Sequence, residues 1–358
     1  MRTGVVNLPL HYGKAPSWLF KRMAALVREI VMLMVMELGR KAVLEKLSDP
    51  AWFQALGCIV GFDWHSSGLT TTVCGALKEG VKGVEKELGL FVAGGKGKTS
   101  RQTPHEIERV GSLLTTNPEH LKYASRMSAK VDSSGLQDGY QIYHHTFVFT
   151  REGTWAVIQQ GMNEVSGFAR RYHWLSEGLE DFVCEPHQAI CTDKKAENAL
   201  NLVAKESEGT RNVTASLARE YPEKLVHELN HLKTLELPSR HHIALNDINP
   251  ERLYTIFCHT YDAQPENFEC LLGLPGVGPK TIRALSLVSE LVYGVPPSYR
   301  DPARFSFAHG GKDGHPYPVD RITYDKSIDI LRQAVSRAKI GEKDKLAAIK
   351  RLLRFIPE

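Results

Sequence analysis

Between Trp18 and Leu38 apolar residues recur at helical spacing, with Lys21, Arg22, Arg28 and Glu29 set among them. That is the pattern of a helix with one face in a core. A shorter helix is expected over 41–47, Pro50 punctuates the chain, and Ala51 to Val60 reads as another buried helix. The polar stretch from Gly61 to Thr72 then feeds a helix from about Val73 to Leu88. Residues 94–104 (GGKGKTSRQTP), rich in Gly and Lys, read as a mobile loop. At 140–150 the pattern changes to aromatic and β-branched residues (YQIYHHTFVFT). Arg151-Glu152-Gly153 follows as a turn and Thr154 to Met162 as a second strand, so a β-hairpin is expected here. The run Ala169 to Trp174 comes next. From Lys195 onward the patterns are helical, over roughly 195–206, 212–235, 249–262, 265–272, 279–293, 322–339 and 342–354.

These patterns imply an α+β chain: an N-terminal mixed α+β domain with a β-hairpin over 1–195, then an all-helical domain over 196–358. A length of 358 residues suits two domains, and 42% hydrophobic with 24% charged residues suits a core of ordinary size. The net charge of +4 does not by itself demand a polyanionic partner, but the excess is uneven. Residues 1–46 carry eight Lys/Arg against three acids, and residues 321–358 carry ten against five. The longest apolar run, Ile30 to Met36, is far short of the roughly 20 residues of a membrane span. No membrane partner is expected, and a cytoplasmic, nucleoid-associated location is. The six cysteines include no pair spaced by two residues, so structural thiols are the default.

The segment Leu274 to Thr281 (LPGVGPKT) carries the chemistry. One helix ends before it, and Pro279 stands in the first turn of the next, where proline is tolerated. Gly276 and Gly278 lack Cβ atoms and admit a nucleic-acid backbone closely. The amides around Gly276, Val277, Gly278, Lys280 and Thr281 point outward and meet the positive end of the second helix, an anion site suited to a phosphate. Leu274 and Val277 are expected as buried pegs. This is the layout of a helix-hairpin-helix motif, and such a contact positions DNA without reading its sequence.

These residues resemble the helix-hairpin-helix DNA glycosylase superfamily. The resemblance places Lys280 at the lysine position of its bifunctional members and Pro318-Val319-Asp320-Arg321 at its aspartate motif. It implies a repair enzyme, a DNA glycosylase and lyase, that acts on an extruded base. Asp320 would stabilise positive charge on the sugar, and a neutral Lys280 amine would attack C1′ to form a Schiff base. Two departures stand out. Asp320 follows Lys280 by 320 − 280 = 40 residues, longer than the family's interval, and no cysteine follows Cys270 to build an iron–sulfur cluster. Asp320 as a helix N-cap and Lys280 as a phosphate neutraliser are the alternatives.

The first domain offers a different chemistry. Asp63, His65, Asp138 and one of His144 and His145 could hold a divalent ion for phosphodiester cleavage, which would make the protein a metal-dependent nuclease. Strand alternation puts His144 and His145 on opposite faces, and a hydrogen-bonded network is the plainer account of the set. Lys96, Lys98 and Arg101 are candidate phosphate contacts, as are Arg170 and Arg171 with Tyr172 and Trp174 for stacking on a single strand. Gly94 to Thr99 is no P-loop, because Val92 stands where the first glycine belongs. Cys184, His187 and Cys191 lack the fourth ligand of a zinc site.

Over nearly its whole length the chain resembles a prokaryotic family designated domain of unknown function 763. The resemblance is carried by RTGVVNLPLHYGKAP, GFDWHSSGLTTTVCGALKEG, DGYQIYHHTFVFTREGTWAVIQQGMN, ARRYHWLSE and the bend at 274–281. That label implies no activity. The expectation is a DNA-binding protein of repair or processing whose partner is duplex, damaged or single-stranded DNA. The glycosylase and lyase, the metal-dependent nuclease and the non-catalytic binding module are its three forms.

Overall fold

In a computed structural model the described residues are 15–62, 67–192, 195–234, 248–303, 321–337 and 341–353. The amphipathic stretch at the start forms one long helix, α1 (Ser17–Ser48). The two helices expected there are its two arms, joined at a kink where Gly39 takes φ +83°. α2 (Pro50–Ile59) starts where the side chain of Asp49 accepts from the amides of Ala51 (2.8 Å) and Trp52 (3.2 Å). α3 (Gly68–Val81) and a single turn, α4 (Glu85–Leu88), follow.

The strands are β1 (Leu90–Lys96), β2 (Leu136–Gln137), β3 (Gln141–Thr150), β4 (Trp155–Asn163), β5 (Phe168–Leu175), β6 (Ala189–Cys191) and β7 (Leu200–Asn201). An antiparallel sheet of order β1-β3-β4-β5-β6 dominates, and β2 pairs with β7 alone. The expected hairpin is β3–β4, with Thr146 opposite Ile158. The Gly/Lys-rich segment at 94–104 is not a loop throughout. Its first residues finish β1, and Gly97–Gln102 forms a 3₁₀ turn. Gly94 is required there: at φ +88°, a Cβ would stand 2.2 Å from the carbonyl oxygen of His145.

α5 (Thr103–Arg109), α6 (Pro118–Lys130), α7 (Glu208–Leu217), α8 (Pro222–Leu232), α9 (Pro250–Ala263), α10 (Phe268–Gly273), α11 (Pro279–Leu291), α12 (Arg321–Arg337) and α13 (Glu342–Leu353) complete the described helices. The helix expected over 212–235 is two helices, because Pro222 opens a new first turn. The helix expected over 195–206 does not form. There Leu200 pairs with Gln137, and the Asn201 amide donates to the Ser298 carbonyl at 2.9 Å, so tertiary strand pairing overrides local propensity. The region beyond 195 is therefore mostly but not wholly helical.

Both faces of the sheet are buried, which is why its central strands read as nearly continuous apolar runs. Phe147, Phe149, Val157 and Trp174 enter one core with Leu121 and Met127 of α6, Leu225 of α8, Phe257 of α9 and Leu285 of α11. Val148, Ala156 and Ile158 enter the other with Met23 and Ile30 of α1, Phe53 of α2, Leu77 of α3 and Leu331 and Val335 of α12. Each core draws on both halves of the chain, so the packing does not break at the boundary expected near residue 195.

Candidate functional site

The bend between α10 and α11 is built by opposite demands on adjacent residues. Asn267 caps α10 by accepting from the Cys270 amide at 2.9 Å. Gly276 turns the chain at φ +81°. Val277, 1% exposed, drops into the core that also holds Leu271, Ile282 and Leu285. Pro275, Gly276, Pro279 and Lys280 stay exposed. Two carbonyls of the bend are satisfied from within: Lys130 Nζ donates to Val277, and Gln137 Nε2 donates to Pro279 at 2.9 Å. Arg283 Nε in turn donates to Gln137 Oε1 at 2.7 Å. A hydrogen-bonded turn across Pro275 and Gly276 engages the Val277 amide, while the amides of Gly276 and Gly278 meet no acceptor among the described residues. No side chain caps α11, whose first bond runs from the Ile282 amide to the Gly278 carbonyl at 3.1 Å. At Gly278 an added Cβ would meet nothing within 4 Å. The bend thus has the carbonyls of Val277 and Pro279 held inward and leaves the amides of Gly276 and Gly278 free beside a helix N-terminus. Four cations stand around it: Lys280, Lys130, Arg283 and Arg126, which is exposed on α6. Burial first, then the neighbouring Arg126, push the Lys130 amine below the usual lysine range.

The other anticipated residues fall in several places. Asp320, Asp63 and His65 lie outside the described residues. Lys96, Lys98 and Arg101 are exposed at the β1 edge of the sheet, with Lys96 Nζ 5.6 Å from the Tyr143 ring centre. Arg170 and Arg171, expected on a binding surface, are both fully buried. Arg170 reaches Asp138 at 2.7 Å and Asp301 at 2.6 Å, and Arg171 reaches Gln54 at 3.1 Å and Thr70 at 3.3 Å. Tyr172 and Trp174 are core residues, so this run holds the interior together and offers no stacking platform.

Asp138, His144 and His145 do not converge. Asp138 is bound by Arg170 and by Tyr172 Oη at 2.7 Å; burial raises its carboxyl above the usual range and Arg170 opposes the shift. His145 faces Ser125 (2.8 Å) and Gln159 (2.9 Å) in one core, whereas His144 bonds to Thr146 Oγ1 (3.0 Å) on the opposite face. Burial pushes the His144 imidazole down to about 3 and that of His145 down to about 4. Among the described residues no group of three or more His, Cys, Asp and Glu is placed to hold a metal ion.

A second arrangement was not anticipated. Asp132, fully buried in the wide turn Val131–Gly135, accepts from Gln159 Nε2, from Trp174 Nε1 at 2.9 Å and from His187 Nε2. The His187 ring rests 4.7 Å from that of Trp174, and its side chain is 6% exposed. A carboxylate only accepts, so Nε2 carries a proton, and in the neutral imidazole Nδ1 is then the acceptor. His187 lines a cleft of about 970 Å³ between β6 and the segments Lys195–Glu197 and Ser298–Pro302. His187 stood out in the sequence only beside two cysteines. Asp132, 55 positions away in an unremarkable SSG turn, carried no signal. The same short stretch reaches both places: Lys130 and Gln137 hold the bend, and Asp132 between them holds His187.

Fold and site together define an α+β protein with an antiparallel sheet buried between helices, an open bend and a separate cleft. The chain belongs to the family described as protein of unknown function (DUF763), whose model matches residues 4–319. The comparison with curated proteins gave no match, and neither did the comparison with solved structures.

Proposed function

We propose that the protein binds the sugar–phosphate backbone of DNA through the bend between α10 and α11, as a DNA-binding protein of repair or processing. One observation carries this reading: among the described residues the amides of Gly276 and Gly278 are unpaired at a bend whose Val277 and Pro279 carbonyls are held by Lys130 and Gln137. Two free amides beside a helix N-terminus suit a phosphate oxygen. Lys280, Lys130, Arg126 and Arg283 add positive charge around it. Lys280 is exposed and does not line the 970 Å³ cleft. A nucleophilic lysine needs an extruded base beside it, so the geometry favours Lys280 as a phosphate contact over Lys280 as a Schiff-base former.

Gly278→Val is the sharpest test. Gly278 has extended backbone (φ −136°, ψ −173°), which valine adopts, and open space beyond it. The fold should survive while the side chain stands where the phosphate would lie. Binding of a fluorescent duplex should weaken about 10-fold or more, since each lost phosphate contact removes a charge-assisted bond. Undiminished affinity in a folded Gly278→Val protein would refute this role for the bend. Borohydride trapping on abasic DNA separates the two roles of Lys280: an adduct lost in Lys280→Ala would restore the lyase.

A further inference from the structure

We propose that the cleft beside His187 is a binding site for a small organic cation, an ammonium or guanidinium compound. Its N–H groups would donate to Nδ1 of His187 and to the rim carboxylates of Glu185 and Glu197. The inference does not depend on the DNA reading.

His187 supplies the first argument. Its ring is fixed on one side by Asp132 and on one face by Trp174, and only 6% of the side chain is exposed. Nδ1 has no partner among the described residues, yet it is not among the sealed, unsatisfied atoms of the interior. It therefore opens onto the cleft in one fixed orientation, as an acceptor when the ring is neutral. A largely buried acceptor of this kind is complemented by a ligand that brings a donor.

Charge supplies the second. Five carboxylates line the cleft, those of Asp49, Glu185, Glu197, Glu206 and Asp301, against the cations Lys195 and Arg300. Asp301 is held by Arg170, and Glu206 accepts from Ser298 Oγ and lies 4.0 Å from Arg300. Glu185 and Glu197 are exposed, and no described residue pairs with either. Asp132 adds a further buried carboxylate behind His187. Carboxylates outnumber cations along this concave wall, so the cleft favours cations over phosphates. Its chemistry is the reverse of that at the bend. The volume of about 970 Å³ lies at the upper end of the range for small-molecule sites, roughly 300–1,000 Å³.

The test uses the full chain with agmatine and spermidine as probes, followed by calorimetry at low ionic strength and by the ring ¹⁵N resonances of His187. Saturable binding of at least one amine is expected, together with a shift of His187 Nδ1. The dianion glutarate, of comparable length, should not bind. The double variant Glu185→Gln/Glu197→Gln changes only exposed groups and should weaken amine binding about 10-fold. His187→Gln should abolish it; because that change also unpairs Asp132, the rim variant keeps the test independent of folding. Three results would each overturn the proposal: no saturation by either amine up to about 10 mM, an unmoved His187 resonance, or unchanged affinity in the double variant. Gly278→Val should leave amine binding intact, so failure at the cleft and failure at the bend are told apart.

Discussion

Two gatherings of arginine and lysine side chains among the described residues, on β5 and around the bend, are used in opposite ways. Arg170 and Arg171 sit on β5 with no exposed surface and are spent on Asp138, Asp301, Gln54 and Thr70. Around the bend, Lys280 and Arg126 are exposed, and neither is joined to a carboxylate among the described residues. In sequence the arginine pair is the more conspicuous cluster. In space it is a cross-link between the sheet and the segment around Asp301, whereas the bend keeps donors for something outside. A cationic motif therefore says little about a polyanion until burial and partners are known.

The largest expected effect tests the interior half of that comparison. Arg170→Ala leaves Asp138 and Asp301 buried without their cation, and urea denaturation should show a loss of about 3–5 kcal/mol. A loss below about 1 kcal/mol would show that the buried pair carries little of the fold. The next effect concerns pH. The His144 and His145 imidazoles are held near 3 and 4, below the ordinary value of 6.5, because burial disfavours their charged forms. The unfolded chain takes up these protons first as pH falls. Stability from this source is complete above about 6.5 and should be lost progressively down to about 4 and 3. His145→Gln should flatten part of that acid slope in denaturation midpoints measured at several pH values; an identical slope would remove His145 from the account.

Smaller effects are expected at the bend. Gly278→Val should lower DNA affinity while changing stability by no more than about 0.5 kcal/mol, which distinguishes an outward-facing surface from the interior arginines. Smallest is Lys280→Ala. It should weaken binding a few-fold on every duplex and reduce the slope of log affinity against log salt by about 1. A sequence-dependent loss would point to base contacts and break the backbone-only reading.

Periodicity alone located most of the helices and the β3–β4 hairpin, and the alternation of HHTFVF placed His144 and His145 on opposite faces. The turn at 274–278 was legible because Pro, Gly and a buried valine act locally. Strand β1 was hidden by Gly94 and Gly95, of which Gly94 serves a close approach to β3 and Gly95 faces Thr99 of the following turn. Strand β7 was hidden by apolar residues that read equally well as a helix. The cleft was illegible for the same reason: Asp132 and His187 meet only after β5 and the wide turn at 131–135 have been brought together.

By itself, then, the amino-acid order determined where the backbone curls, where it extends and where it turns, since those depend on neighbours within a few positions. Tertiary structure decided which cations are available, which histidine is poised and which carboxylates share a wall. Burial and pairing are set by residues distant in sequence, and a charged group's chemistry depends on what surrounds it more than on its place in the chain.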